Sequence, residues 1–303
     1  MTQNLLILGN GFDLDLGLHT GYSEFLESDI WKSAKDSCPE KYLVTFLDRY
    51  RISHNWFDLE SGLLEGATRL KGRLSDNYDN SGFRESFQIL TEKLREYIKK
   101  EQESFIPNKD SAAGQLLHSF EKCGSLPVIY SFNYTDLDII GKRFDLEFIP
   151  TVYHVHGSLQ PYDQIILGIE LDDILQLPSQ LTFLIKSNNP FYQYTNLLKD
   201  LDNASDVIFF GHSINGMDFP YFKDFFQNLV TAPIEKTNTR RITIITYDEK
   251  SAMQIKDNFR RNGIDVRTLF NKVALEFIMT RGIYEGNQRE LEKFEHFKSE
   301  IER

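Results

Sequence analysis

A glycine-containing turn directly follows the first apolar segment of the chain. The segment Asn4–Leu8 runs into Gly9-Asn10-Gly11, and Phe12 and Asp13 come next. Because glycine lacks a Cβ, a buried strand that ends in Gly-x-Gly brings backbone N–H groups close to a phosphate in many α/β proteins. A dinucleotide fingerprint would add a glycine three residues later, where this chain has Leu14. The turn therefore indicates either a nucleotide site or a tight strand-to-helix turn without a ligand.

Polar side chains also follow other apolar segments that we predict to be strands. Asn133 follows the segment Leu126–Ser131, and His156 follows Thr151–Val155. His212, Ser213 and Asp218 follow Asp206–Gly211. Since ligands of an open parallel sheet bind at the carboxyl ends of its strands, these residues predict one site along one sheet edge. Simpler roles stay open, because asparagine also stabilises turns and the aspartate of the first turn could cap a helix.

Two histidines, His154 and His156, are separated by a single residue. In a strand they would point to the same face and could share a metal ion with His212 and Asp218, as in a metal-dependent nuclease or phosphohydrolase. No carboxylate or third histidine follows them at a convincing ligand spacing. We therefore expect one histidine packed in the sheet, one lining the site, and no metal.

Short apolar segments with helical patterns between them indicate the fold class. The six strand candidates are Asn4–Leu8, Leu126–Ser131, Thr151–Val155, Gln164–Gly168, Asp206–Gly211 and Arg241–Tyr247. Several are apolar on successive residues, which is typical of strands that helices cover on both faces. Strands that alternate with helices are the signature of a doubly wound fold. The sequence predicts an α/β protein with a doubly wound, mainly parallel sheet of the Rossmann type.

A long helical stretch separates the first two strand candidates. One helix face is indicated by Phe83, Phe87, Leu90, Leu94 and Tyr97. A second helix is indicated by Trp56, Leu59, Leu63 and Leu70. We predict a helical insertion or subdomain over 23–125 within a single domain of 1–303. Further helical segments are predicted from about Pro178 to Asp202 and, at the surface, over Glu285–Arg303.

The composition is that of a folded protein without a basic surface for nucleic acid. The 45 acidic and 34 basic residues give a formal net charge of -11, which argues against nucleic acid as a partner. The two cysteines, Cys38 and Cys123, form neither a zinc motif nor a disulfide framework. The N-terminus lacks the features of a signal peptide, and no segment reaches the ~20 apolar residues of a membrane span. We predict a soluble cytoplasmic protein.

In combination, the motifs resemble the bacteriophage abortive infection AbiH family. The resemblance spans nearly the whole chain and rests on Gly-Asn-Gly-Phe-Asp, Gly17-Leu18-x-Thr20-x-Tyr22, Trp56-x-x-x-Glu60, Phe132-Asn133-Tyr134-Thr135, His154-Val155-His156-Gly157 and Gly211-His212-Ser213. More distantly, the same order of motifs is similar to the NAD-binding fold of sirtuins and of the sirtuin-like NAD hydrolases of phage defence.

The sirtuin-like resemblance implies NAD as the substrate and assigns Asn133 and His156 as catalytic residues. Asn133 would orient the water and the ribose, and His156 would accept the proton, because histidine titrates near neutral pH. The first helix N-terminus and the glycine amides would hold the pyrophosphate. The cofactor contacts predicted from these motifs are Gly9, Asn10, Gly11, Phe12, Asp13, Thr20, Tyr22, Gly211, His212, Ser213 and Asp218.

Two departures from the sirtuin pattern bear on the predicted reaction. In sirtuins an aspartate stands two residues after the catalytic asparagine, whereas this chain has Thr135 there and Asp136 one position later. The four-cysteine zinc ribbon of the sirtuin deacylases is also missing. The resemblance therefore implies transfer to water, which gives ADP-ribose and nicotinamide, and argues against a protein deacylase.

The predicted function is an anti-phage abortive-infection protein that depletes NAD, as a homo-oligomer or with a defence partner. Two alternatives stay open on the sequence alone. One is the metal-dependent nuclease or phosphohydrolase, and the other is a non-catalytic nucleotide-sensing module of a defence complex.

Overall fold

The chain forms two compact units in the computed structural model, which describes residues 4–53, 58–75, 77–123, 127–170, 177–192, 196–233 and 240–302. The first unit comprises Met1–Leu18, Phe105–Val155 and Tyr194–Arg303. The second comprises His19–Ser104 and His156–Gln193. The helical stretch predicted over 23–125 therefore falls mostly in the second unit, while its last part belongs to the first.

A six-stranded parallel sheet is the framework of the first unit. Its strands are β1 (Asn4–Leu8), β2 (Val128–Ser131), β3 (Val152–His154), β4 (Asp206–Phe210), β5 (Arg241–Thr246) and β6 (Ala274–Met279). The order across the sheet is β3-β2-β1-β4-β5-β6, and every neighbouring pair is parallel. This is the strand order of dinucleotide-binding Rossmann folds, so the predicted doubly wound α/β class is confirmed.

Five of the six strand candidates contain strands of this sheet, but the prediction for Gln164–Gly168 is wrong. That segment belongs to the second unit and has no regular secondary structure. Its apolar residues, Ile165 to Leu167, are buried all the same, and the Ile166 N–H donates to the carbonyl of His156 at 2.8 Å. Conversely, the sequence pattern does not predict β6, an edge strand whose residues are in part exposed.

Helices cover both faces of the sheet and are numbered along the whole chain. The first unit contains α1 (Asn10–Leu16), α7 (Ala112–Lys122), α8 (Leu137–Arg143), α9 (Leu197–Asn203), α10 (Lys223–Thr231), α11 (Glu249–Arg261), α12 (Val266–Lys272), α13 (Thr280–Tyr284) and α14 (Gln288–Ile301). Leu5 and Ile7 of β1 belong to a core with α9 to α12. Leu6 and Leu8 belong to a second core with α1, α7, α8 and α14. Burial on both faces explains why successive residues of β1 are apolar.

The second unit is mainly helical. Its helices are α2 (Tyr22–Glu27), α3 (Asp29–Ala34), α4 (Lys41–Ser53), α5 (Leu59–Arg69) and α6 (Ser81–Ser104). The predicted apolar face of α6 is confirmed, since Phe83, Leu90 and Leu94 are buried. Trp56, assigned to the helix before it, lies outside the described residues. The described helices include none with the length and apolar character that crossing a membrane requires.

The structure agrees to different extents with the helical predictions for Pro178 to Asp202 and for the C-terminus. The stretch predicted from Pro178 to Asp202 contains two short 3₁₀ helices, Ser179–Leu184 and Lys186–Asn188, in the second unit, and α9 in the first. The C-terminal helix is α14, whose outer face is polar. Its inner face buries Phe294 and Phe297 in the core of the first unit.

Candidate functional site

The carboxyl ends of β1 and β4 meet where the strand order of the sheet reverses. Gly9-Asn10-Gly11 follows β1, and Gly211-His212-Ser213 follows β4. The two turns are hydrogen-bonded, because the Gly9 N–H donates to the Phe210 carbonyl at 3.0 Å and the Gly11 N–H donates to the Gly211 carbonyl at 2.9 Å. Open α/β sheets bind ligands in the crevice at this switch point. The structure thus brings the two predicted glycine turns together at the expected edge.

These hydrogen bonds give the glycines a structural role. Two amides that the sequence assigns to phosphate binding already donate to main-chain carbonyls. Gly211 has a φ of +64°, and a Cβ on it would lie 2.6 Å from the Cα of Gly11 and clash with the backbone nitrogen of Phe12. Glycine therefore lets the two turns pack backbone against backbone. A contact of these turns with a pyrophosphate stays a prediction.

The side chains of the two turns differ in exposure. Asn10 and Ser213 are exposed, as ligand contacts would be. Phe12 is fully buried and packs edge to face against Phe210, with the ring centroids 5.2 Å apart. Its ring therefore anchors the first turn in the core.

A buried hydrogen-bond network joins the first turn to the segment after β2. The side-chain amide of Asn133 donates to the Gly9 carbonyl at 3.0 Å and to Oδ1 of Asp13 at 2.7 Å. The hydroxyl of Thr135 donates to Oδ2 of Asp13 at 2.9 Å. All three side chains are buried. Asp13 makes no capping bond to α1 and instead fixes the position of Asn133.

The Asp13 carboxyl titrates near neutral pH. Burial raises its pKa from 3.8 to about 7, and the hydrogen bonds from Thr135 and Asn133 oppose the rise without cancelling it. A carboxyl with such a pKa beside a predicted catalytic residue is a common feature of functional sites.

The hydrogen bonds of the Asn133 side chain use its amide nitrogen and leave the amide oxygen as an acceptor. Both hydrogens of Nδ2 are donated within the network, and Oδ1 accepts no hydrogen bond from the residues that the structure describes. The main chain is fixed as well, because the Asn133 N–H donates to Oγ of Ser131 at 3.1 Å and its carbonyl lies 3.1 Å from Nδ1 of His154. Asn133 therefore presents a preorganised acceptor.

His212 is a buried, neutral histidine in an aromatic environment. Its ring packs edge to face against Phe132, with a centroid distance of 4.5 Å. Nδ1 accepts a hydrogen bond from the Ile214 N–H at 3.0 Å, so the proton of the neutral ring is on Nε2, 3.5 Å from Oδ2 of Asp218. Burial lowers the pKa of His212, and the charge of Asp218 opposes this. The geometry joins two predicted contacts, His212 and Asp218, in one loop.

One buried residue of this loop has a strained backbone conformation. Ile214 has a φ of +47° and is fully buried. The left-handed region is unfavourable for a β-branched residue and costs on the order of 1–3 kcal/mol. Such strain persists where the surrounding structure imposes it, and it clusters at ligand sites. The strain at Ile214 therefore favours a ligand site at the loop after β4.

The second unit holds the other three predicted residues, Thr20, Tyr22 and His156. Thr20 is buried, and Tyr22 is the first residue of α2. His156 is buried, with its Nε2 3.1 Å from Nζ of Lys186. Lys186 also donates to Oε2 of Glu60 at 2.9 Å.

Sequence reasoning misses Lys186. Lysine is among the residues least often buried, yet Lys186 has 0% of its surface exposed. Nothing in its neighbourhood along the chain marks it, whereas its partner Glu60 stands in one of the family motifs. Within the described ranges, no group of three His, Cys, Asp or Glu side chains could hold a metal ion.

Gly157 determines the backbone path directly after His156. It has a φ of +70°, and a Cβ there would lie 2.9 Å from the carbonyl carbon of Gln164 and overlap its oxygen. Gly157→Ala is expected to lower the free energy of unfolding of the second unit by about 2 kcal/mol or more. Urea unfolding measures the loss. Gly72→Ala is the control, with a φ of +73° and open space around the site, and an equal loss in both variants would contradict the expectation.

The strand order and the switch-point crevice define a Rossmann-like, doubly wound α/β protein. The chain belongs to the bacteriophage abortive infection AbiH family, whose model matches residues 5–239. The resemblance to AbiH is thereby confirmed, and membership supports a role in abortive infection. The more distant resemblance to sirtuins stays a prediction. No curated protein matches the chain.

Proposed function

We propose that this protein hydrolyses NAD to ADP-ribose and nicotinamide during abortive infection, as a homo-oligomer or with a defence partner. The observation that carries the proposal is the switch point of the sheet in the first unit, where Asn133 is fixed with Oδ1 as an acceptor. Rossmann folds bind dinucleotides at this place. Family membership supplies the defence role, and the resemblance to sirtuin-like hydrolases supplies the reaction.

Two further features of the crevice support a ligand site. The Asp13-Asn133-Thr135 network places three buried polar side chains behind the first turn. On the opposite turn, Ile214 keeps a strained backbone conformation. Both features cost stability, and proteins retain such costs where preorganised polar groups serve a ligand.

In the proposed reaction the bond between the nicotinamide nitrogen and the ribose anomeric carbon breaks, and nicotinamide leaves with the electron pair. A water oxygen forms the new bond to that carbon and loses one proton to the solvent, which gives ADP-ribose. Positive charge develops on the ribose in the oxocarbenium-like transition state. A fixed amide oxygen such as Oδ1 of Asn133 stabilises that charge and can orient the water. His156 is assigned to the reaction by the resemblance.

Asn133→Ala is expected to lower nicotinamide release from NAD by about 100-fold or more, the usual effect of losing a fixed catalytic group. The assay measures nicotinamide and ADP-ribose with purified protein and with extracts of phage-challenged cells, because a defence enzyme can require a trigger. Asn133→Ala also removes two buried hydrogen bonds, so unfolding by urea is measured on the same preparations.

Two control variants separate chemistry from stability. Thr135→Val removes the other hydrogen bond to Asp13 and leaves Asn133 in place. Asn203→Ala makes the same substitution at an exposed position at the end of α9. An equal loss of activity in Thr135→Val and Asn133→Ala at equal stability would reduce Asn133 to a structural role. If neither the purified wild-type protein nor extracts of phage-challenged cells release nicotinamide from NAD, the proposed hydrolysis is overturned.

Nucleotide sensing without cleavage is the second candidate. It is favoured by the contact of Nε2 of His156 with Lys186, because this contact occupies the predicted proton acceptor, which a sensor does not need. Calorimetric titration with NAD distinguishes the two candidates. Tight binding without any product, in the presence of phage-challenged extract, would favour sensing.

A further inference from the structure

A fully buried lysine lies between a carboxylate and an imidazole in the second unit. Nζ of Lys186 is 2.9 Å from Oε2 of Glu60 and 3.1 Å from Nε2 of His156. The exposed fractions are 0% for Lys186, 6% for Glu60 and 4% for His156. All three belong to the same unit. A buried charge is retained only where it is paired and hydrogen-bonded, and here the pairing includes a predicted catalytic histidine.

The chemistry of the lysine determines which imidazole nitrogen carries the proton. A lysine ammonium has three donors and no lone pair, so Nε2 of His156 must accept in the contact with Lys186. A neutral imidazole that accepts at Nε2 carries its hydrogen on Nδ1. A proton added to Nε2 would point at the positively charged ammonium of Lys186, and this contact would be repulsive.

Glu60 holds the ammonium in this position. Its carboxylate forms an ion pair with Lys186 in which both side chains are buried. The backbone supports the same geometry, because the Lys186 N–H donates to the Ile169 carbonyl at 3.1 Å and the Ile169 N–H donates to the Leu184 carbonyl at 2.8 Å. Lys186 is therefore fixed at both its side chain and its main chain.

We infer that Lys186 is a positioning residue that holds His156 as the neutral Nδ1–H tautomer, so that His156 acts in catalysis as a hydrogen-bond donor and not as the general base. The tautomer follows from the contacts of the second unit. The catalytic part rests on the proposed NAD hydrolysis. It replaces the role of proton acceptor that the resemblance to sirtuins implies for His156.

Nitrogen NMR of protein labelled with ¹⁵N-histidine tests the tautomer without any substrate. The resonances of His156, one of seven histidines, are assigned by their loss in His156→Asn. In the wild type, Nε2 is expected to have the shift of an unprotonated ring nitrogen and Nδ1 that of a protonated one. A wild-type protein with the proton on Nε2 would overturn the inference.

Two variants test whether Lys186 sets this tautomer. Glu60→Gln/Lys186→Met removes both charges, because Lys186→Met alone would leave a buried carboxylate unpaired and could prevent folding. Glu60→Asp keeps a carboxylate as the partner of the ammonium. The Nδ1–H tautomer is expected to persist in Glu60→Asp and to give way to Nε2–H in the double variant. The same tautomer in both variants would contradict a role for Lys186.

The rate of nicotinamide release distinguishes a hydrogen-bond donor from a general base at position 156. Asparagine places an amide donor near the position of Nδ1 but cannot act as a base near neutral pH. His156→Asn is therefore expected to release nicotinamide within about tenfold of the wild-type rate, whereas His156→Ala loses about 100-fold or more. His296→Ala, at an exposed position on α14, is the control.

The possible failures are distinguishable. Equal inactivity of folded His156→Asn and His156→Ala, with an active wild type, would overturn the donor role and leave NAD hydrolysis standing. A wild type without nicotinamide release would overturn the proposed function and with it the catalytic role of His156. The NMR experiment would still determine the tautomer of His156.

Discussion

Replacing Gly211 with alanine is expected to lower the free energy of unfolding of the first unit by about 3 kcal/mol or more. The φ of +64° alone costs a residue with a Cβ about 1–2 kcal/mol. The rest comes from the clash with the turn after β1, since the new Cβ would lie 2.6 Å from the Cα of Gly11. Backbone atoms cannot move aside as the end of a side chain can, so the two turns must separate.

The loss is measured by urea unfolding followed by circular dichroism. Gly263→Ala is the matched control, because Gly263 has a φ of +78° and a Cβ added there would have no atom within 4 Å. It isolates the cost of the backbone conformation. If Gly211→Ala is no less stable than Gly263→Ala, the contact between the turns does not carry the energy that its geometry indicates.

The same comparison bears on how the crevice is built. The Gly9 and Gly11 amides donate to the carbonyls of Phe210 and Gly211, so separation of the turns also breaks these bonds. Asn133 is linked to the first turn through the Gly9 carbonyl. Nicotinamide release by Gly211→Ala is therefore expected to fall further than its folded fraction explains.

The fold class could be predicted because its signal is local. Successive apolar residues in β1, β4 and β5 mark strands buried on both faces, and helical patterns lie between them. The strand order could not be derived in the same way, because it depends on pairings between segments far apart in the chain. The error at Gln164–Gly168 has the same origin, since an apolar run reports burial and not the hydrogen-bond partner.

The candidate site shows a similar limit. Strand ends and glycine turns in the sequence predicted Asn133, Gly9-Asn10-Gly11 and Gly211 as candidate site residues. What these residues contact could not be predicted, because Asp13 and Asn133 are 120 positions apart and Lys186 is 126 positions from Glu60. Long-range hydrogen bonds make Asp13, which the sequence predicts as a cofactor contact or a helix cap, an anchor for Asn133. They also add a lysine that no motif contained.

Asp13→Asn is expected to make the stability of the first unit less dependent on pH. In the folded protein, burial raises the pKa of Asp13 to about 7, while the ordinary value is 3.8. Below pH ~4 the carboxyl is protonated in both the folded and the unfolded chain. As the pH rises toward 7, the unfolded chain releases the proton first. Unfolding then becomes more favourable, and the stability that the raised pKa contributes is lost.

The expected size follows from the two pKa values. A difference of about 3 pKa units corresponds to about 4 kcal/mol, all of which is lost above pH ~8. Asparagine fits the network without a charge, because its Oδ1 can accept from Asn133 and its Nδ2 can donate to the Thr135 hydroxyl. Asp13→Asn is therefore expected to match the wild type at pH ~4 and to be more stable than it at pH 8.

Urea unfolding at a series of pH values between 4 and 8 measures the difference between the two proteins. Asp138→Asn, a substitution of the same kind at an exposed position of α8, is the control and should follow the wild type throughout. A constant difference between wild type and Asp13→Asn would mean that the buried carboxyl keeps its ordinary pKa. A difference that grows with pH would show that the side chain fixing Asn133 is held at an energetic cost, as expected of a residue kept for the site and not for stability.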